Sequence, residues 1–290
     1  MKTILSVFLF GMILIGVLPS QEIKHRFLAL DESRFQILYV DQFEPSKNWS
    51  IQIPAGNRDI QLIDGKIIIG LNSGGFQEYD FESQKLLREV IDPKYAGISV
   101  TAHRLADGRT LLASDQNPIR ITMLDADGQE LSTAVFPDRQ TVRCARMTPR
   151  STVLFGCNEN RVVESTLDGQ IVRDIEIPDA KHAYMVKELP NGNLLSTAGY
   201  AGFAVELDKL GKIIRKIGGK PGPEGIGIYF FASIDVLKNG NLFITNWTGH
   251  GADDSEKGVQ ILEYDKAGNI VWQWHDPKSA GTIHNAVVLE

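Results

Sequence analysis

From about residue 57 onward the chain repeats one phrase: an extended segment ending in a bulky apolar residue, a tight turn, an apolar strand, a strand carrying an acidic residue, a second turn and a last strand. The first turn recurs in LIDGKIIIG (62–70), RLADGRTLLAS (104–114), ELPNGNLLSTA (188–198) and VLKNGNLFITN (236–246). The second recurs in LDADGQELSTAVF (124–136), STLDGQIVRDIEI (165–177), ELDKLGKIIRKI (206–217) and EYDKAGNIVWQW (263–274). Gly108 and Gly192 stand 84 residues apart, with MTPRSTVLFG (147–156) as a degenerate copy between them; Gly128, Gly169 and Gly211 are spaced 41 and 42. Gly268 follows after 57, because the stretch GGKPGPEGIG (218–227) is inserted. A period near 42 is that of a four-stranded propeller blade.

Asp-Gly and Asn-Gly supply the positive φ that two-residue hairpin turns demand, and the flanking residues are β-branched or alternate in polarity. One blade alone would expose an apolar face, so neighbours must stack, and a closed ring hides the sheet edges. Recognisable copies begin near Asp59, Val100, Val142, Ala183 and Ser233. FLALDES, QILYVDQ and NWSIQIP (27–53) read as three strands lacking a first one, and IHNAVVLE (283–290) reads as a first strand with no blade after it. The expected fold is therefore all-β: a six-bladed propeller of four-stranded blades, closed by pairing of the C-terminal strand with the N-terminal three. It forms one domain over residues 21–290, about 44 residues per blade.

The phrases ELPNGNLLSTAG (188–199), VLKNGNLFITNWTGHG (236–251) and EYDKAGNIVWQWHD (263–276) resemble the L-P-N-G-N and E-x-D-x-x-G-x-V-V-W blades of exported bacterial six-bladed propellers of the quinoprotein-like or arylsulfotransferase-like kind. The resemblance spans nearly all of the chain but consists of turn and packing residues, so it speaks for fold and not for activity. Quinone-binding relatives are similar to eight-bladed rings with a Trp closing most blades. Here Trp272 stands at that kind of position and the others read Arg88, Thr133, Arg173 and Arg215, so pyrroloquinoline quinone is not expected. Arylsulfotransferase-type chemistry implies a nucleophilic His with further His and Arg on one face, and nothing in the sequence ties a particular His to that role.

Met1 to Leu18 carries one basic residue, Lys2, and an uncharged apolar run from Ile4 to Leu18. Fifteen residues fall short of the roughly 20 that a spanning helix needs, so residues 1–20 read as a cleaved signal peptide, with an uncleaved anchor as the alternative. The mature chain is expected to be exported, periplasmic or extracellular, monomeric and without a membrane span. With 36 acidic against 30 basic residues and a net charge of −6, it offers no electrostatic footprint for nucleic acid.

Inner strands of a propeller line its channel. Arg58, Thr101, Arg143, Met185, Ser233 and Asn285 precede the turn anchors by four residues and share their face by alternation. The two arginines favour a small anionic ligand, or else pair with acidic neighbours such as Asp59. His182 and His284 stand where first strands begin, and His103 joins the candidate channel-mouth set. The loop NWTGHGADDSE (246–256) offers Asn246, Trp247, His250, Asp253 and Asp254, either as a binding loop or as a solvated one. Its carboxylates could take Ca²⁺ or another divalent metal, although no EF-hand order is present and no close His pair marks a zinc site. GGKPGPEGIG lacks the spacing of a phosphate-binding loop and reads as surface. Cys144 and Cys157 flank one hairpin, marginally in register for a disulfide and equally readable as two buried thiols. Asn48 and Asn246 are formal glycosylation sequons.

With complete repeat architecture and no intact catalytic motif, the leading expectation is a binding or scaffolding module, its small anionic ligand or protein partner at one mouth of the channel. The alternative is an enzyme acting on a small anionic or sugar-derived substrate at the same mouth, lactone hydrolase-like or sulfuryl transfer-like.

Overall fold

The structure is a computed structural model that describes residues 22–157 and 160–290; the expected signal peptide lies outside them. Among the described residues there are 24 strands in six four-stranded antiparallel sheets. Blade 1 contains β1 (Arg26–Asp31), β2 (Gln36–Asp41) and β3 (Trp49–Gln52). Blade 2 is β4 (Ile60–Ile63), β5 (Lys66–Leu71), β6 (Gly75–Asp80) and β7 (Leu86–Ile91); blade 3 is β8 (Ile98–Arg104), β9 (Thr110–Asp115), β10 (Ile119–Leu124) and β11 (Glu130–Phe136). Blade 4 is β12 (Arg143–Met147), β13 (Val153–Cys157), β14 (Arg161–Ser165) and β15 (Ile171–Glu176). Blade 5 is β16 (Val186–Glu188), β17 (Leu194–Thr197), β18 (Phe203–Leu207) and β19 (Ile213–Gly218). Blade 6 is β20 (Phe230–Val236), β21 (Leu242–Trp247), β22 (Ile261–Tyr264) and β23 (Ile270–Trp274). The last strand, β24 (Ile283–Val288), pairs with β1 and completes blade 1 in the order β24-β1-β2-β3. The expected ring closure is the one observed.

The turns explain the register. Between β4 and β5, Asp64 (φ 49°) and Gly65 (φ 70°) form the expected two-residue turn, with Ile63 opposite Lys66. The copies at 105–109, 189–193 and 237–241 differ: they are three-residue loops in which Gly108, Gly192 and Gly240 take positive φ and donate to the carbonyls of Leu105, Leu189 and Leu237. A type I turn followed by one left-handed residue produces this geometry, so the glycine is needed but the Asn or Asp before it stays right-handed.

Blades stack through apolar faces. Leu28, Ile37 and Tyr39 of blade 1 bury against Ile60, Ile67 and Ile69 of blade 2, while Phe27, Ala29 and Ile283 bury against Phe243, Ile261 and Trp274 of blade 6. Two glycines set the closeness of this stacking. A Cβ on Gly70 would lie 2.1 Å from the Val100 carbonyl oxygen, and one on Gly156 would lie 2.0 Å from that of Ala183, so the next blade's inner segment approaches bare backbone. Residues 219–227 form a loop after β19, yet Ile226 and the adjoining Ile228 anchor it in the core between blades 5 and 6. Cys144 and Cys157 are both buried free thiols. Among the described residues no helix is long and apolar enough to cross a membrane.

Candidate functional site

All six inner strands run the same way along the channel, so their starts gather at one mouth, here the upper, and their ends at the other. At the upper mouth, side chains from four blades converge. Glu32 comes from the turn after β1, Arg58 from just before β4, Tyr184 from just before β16, His250 from the long loop after β21, and His284 from β24. Arg58 Nε donates to Glu32 Oε1 at 2.7 Å, and His250 Nδ1 lies 3.4 Å from the same oxygen. Beneath them His284 Nε2 lies 3.9 Å from Glu32 Oε2 and 3.5 Å from the Tyr184 hydroxyl, and its ring stacks on that of Tyr184 with centroids 5.0 Å apart. Glu32 Oε2 and His284 Nδ1 are buried with no hydrogen-bond partner in the fold.

The electrostatics follow from burial and the two arginines. Burial, with Arg58 and Arg143 nearby, holds the His284 imidazole well below its ordinary pKa, so it is neutral at physiological pH. Burial pushes the Tyr184 phenol well up, keeping it a protonated donor. With Tyr184 donating to Nε2, the imidazole proton sits on the unpartnered Nδ1. Burial works against the charge of Arg58, but the influence of Tyr184 and Glu32 outweighs it, and the guanidinium stays above its ordinary value.

An aromatic wall surrounds this group. Phe230 lies 5.3 Å from Tyr184 and 4.7 Å from Tyr200, Trp247 lies 5.3 Å from His284 and 4.6 Å from His250, and His182 lies 6.1 Å from Phe230 (ring centroids). The Trp247 indole N–H and the Thr248 hydroxyl are also buried without partners. The upper mouth thus combines a carboxylate, a neutral imidazole and cationic side chains with an apolar wall and several unused polar atoms.

Of the sequence candidates, Arg58, His182, His284, Trp247 and His250 meet at this mouth. Arg143 starts β12 on the same side and is bound to Asp115. Asp59 does not pair with Arg58. Instead it accepts two bonds from Arg146 (2.6 and 2.8 Å) and one from Asn285 Nδ2 (2.7 Å), a cross-channel knot below the upper site. His103 belongs to the lower mouth, where its Nδ1 accepts the Met147 N–H at 3.2 Å. The sequence reading sets it with the others at one mouth. Pairing irregularities between Ile98 and Thr101 and between Arg143 and Arg146 shift the phase within β8 and β12.

The loop residues divide. Asn246 is fully buried and structural: its Oδ1 accepts Tyr229 and Phe230 N–H (2.7 and 3.2 Å), and its Nδ2 donates to the Gly227 and Val259 carbonyls (3.0 and 2.8 Å). Its sequon is therefore not an accessible one. Asn246→Ala is expected to cost about 2–3 kcal/mol, since it strands buried backbone groups, and urea unfolding will measure it. Asp254 caps the short helix Ala252–Lys257 by accepting Gly251 N–H and pairs with Lys257, while Asp253 is exposed. Among the described residues no group of three or more His, Cys, Asp or Glu is placed to hold a metal ion.

Glu32, Tyr184, Phe230, Tyr200 and Arg146 were not among the sequence candidates. Glu32 lies in the turn of a blade whose first strand comes 250 residues later, so no repeat alignment draws attention to it; the aromatics read as core.

No family model matches the chain, and no curated protein does. Solved structures do. A protein of unknown function from Bacteroides caccae shares 23% identity over 92% of this chain and 99% of its own, with a TM-score of 0.76. A catalytically inactive virginiamycin B lyase from Staphylococcus aureus, solved with quinupristin, shares 17% identity over 77% of this chain and 71% of its own, with a TM-score of 0.58. The nidogen/laminin complex gives 13% identity over 91% and 98%, with a TM-score of 0.66. At these identities the likeness is one of fold: the chain is a six-bladed β-propeller distantly related in structure to propeller enzymes and scaffolds alike. Such a scaffold can carry a ligand or partner at a channel mouth.

Proposed function

We propose that the chain is an enzyme acting at the upper mouth on a small sugar-derived substrate with a ring or apolar body, opening a lactone or ester bond. The observation that carries this is the convergence of Glu32, Arg58, Tyr184 and His284 from separate blades, with Glu32 Oε2 and His284 Nδ1 left unpartnered. Buried polar groups without partners cost about 1–3 kcal/mol each, which a ligand can return. Arg58 is held in place by Glu32, and the wall of Tyr200, Phe230 and Trp247 suits the body of the substrate. Glu32, with the neutral His284 beside it, takes a proton from water as the hydroxide adds to the carbonyl. Arg58 steadies the oxyanion, and the proton returns to the leaving oxygen, so no proton is gained or lost. That a lyase shares this fold supports the choice of an enzyme without naming this substrate.

The test is turnover of glucono-δ-lactone, p-nitrophenyl acetate and p-nitrophenyl sulfate. Expected are activity on the lactone or the acetate and a fall in kcat of about 100-fold or more in Glu32→Gln and in His284→Phe. Arg58→Met, which removes the partner of the oxyanion, should lower kcat as well. Turnover of the sulfate alone would reassign the site to sulfuryl transfer. Turnover of none would return the mouth to a binding module.

A further inference from the structure

The opposite end of the channel holds a second, separate space. A cavity of about 320 Å³ lies between the inner-strand ends, beneath the Asp59–Arg146–Asn285 knot. Dividing by the share of liquid volume that one water takes, it has room for about ten water-sized groups, the size of a single sugar ring. We propose that it is a binding site for a neutral polyhydroxy compound of monosaccharide size, a site independent of the upper mouth and its chemistry.

The charges select neutrality. Each charged side chain lining the cavity already has an opposite partner: Arg146 with Asp59, Lys187 with Asp235, and Glu188 with Arg150. A charged ligand would have to break one of these pairs, whereas a neutral one uses what they leave over. What they leave over is mixed in kind. Glu188 is nine-tenths buried at the cavity wall, its Oε1 is taken by Arg150, and its Oε2 is buried with no hydrogen-bond partner, an acceptor that a small turn of the side chain would bring to a ligand. His103 accepts the Met147 N–H on Nδ1, which puts the ring proton on Nε2 and makes that atom a donor. Lys187 has three donors and spends one on Asp235. A hydroxyl both donates and accepts, so adjacent hydroxyls satisfy Glu188 and His103 together. Leu62, Met147 and Met185 supply the apolar surface on which the C–H face of a sugar ring packs.

Saturation-transfer NMR on the folded chain with D-glucose, D-galactose, D-xylose and myo-inositol tests the proposal, with D-gluconate and D-glucosamine as charged counterparts. Expected is saturable binding of at least one neutral compound with Kd of about 1 mM, weakened by about tenfold or more in Glu188→Leu. Leu62→Trp, which narrows the mouth without removing a polar group, should abolish it, and the upper-mouth variant Glu32→Gln should leave it unchanged. Thermal melting confirms that each variant is folded. Binding of none of the neutral compounds, tighter binding of either charged one, or binding indifferent to both Glu188→Leu and Leu62→Trp overturns the proposal.

Discussion

A chain ended at Gly281 should not fold. That truncation removes β24, and with it the register Phe27↔Val288, Leu28↔Val287, Ala29↔Ala286 and Leu30↔Asn285 that completes blade 1. It strips the inner edge from β1, whose Phe27, Leu28 and Leu30 are fully buried, and it takes Ile283 out of the interface with blade 6. It also removes Asn285 from Asp59. Re-exposing large apolar side chains costs about 1.5–3 kcal/mol each, so four such residues, with the lost ladder bonds, reach or exceed the roughly 5–15 kcal/mol that stabilises a domain. The expected result is an insoluble or molten product by near-UV circular dichroism, with partial recovery when a peptide of residues 282–290 is supplied and adds as a strand to β1. A cooperative melt near that of the full chain would show that the ring does not depend on this strand.

That dependence is legible in the sequence, because a strand is missing at one end and a surplus one stands at the other. The blade boundaries were legible for the same kind of reason: expected starts near Asp59, Val100, Val142, Ala183 and Ser233 fall within three residues of β4, β8, β12, β16 and β20. Turn glycines are punctuation that backbone geometry enforces. The channel was less legible, since alternation assumes regular strands, and the irregularities in β8, β12 and β20 each insert a phase change before the axis is reached. Hence Arg146 and not Arg143 meets Asp59; His103 faces the lower cavity because it stands near the end of β8. Glu32 and Tyr184 were missed for another reason. Their importance lies in which blades the ring brings together, and a repeat read one blade at a time carries no such information.

Lowering the pH from 7.5 to 4.5 should destabilise the fold by about 3 kcal/mol through His103, with a further loss in the same direction from His284. Burial, with Arg146 and Lys187, pushes His103 down to about 3, and burial, with Arg58 and Arg143, pushes His284 well below its ordinary value. His284 is faced also by Glu32, Tyr184 and His250. In the unfolded chain both rings titrate near about 6.5. The unfolded state therefore binds protons that the folded state refuses, so the stability that both rings contribute is complete above about pH 6.5 and is lost as pH falls toward the folded values. His103 gives up about 3 kcal/mol across the range, at a slope that approaches about 1.4 kcal/mol per pH unit, and His284 steepens the fall. Carboxylates confuse most acid titrations, but their unfolded values lie near about 4, so between pH 6.5 and 4.5 the histidines dominate. Urea midpoints at pH 7.5, 6.5, 5.5 and 4.5 should fall steadily for the wild type. His103→Gln and His284→Gln should each flatten that slope, and the double variant should remove nearly all of it. A wild-type stability flat across this window would mean that these rings take up protons in the folded state, and the neutral imidazole assigned to the upper mouth would fall with it.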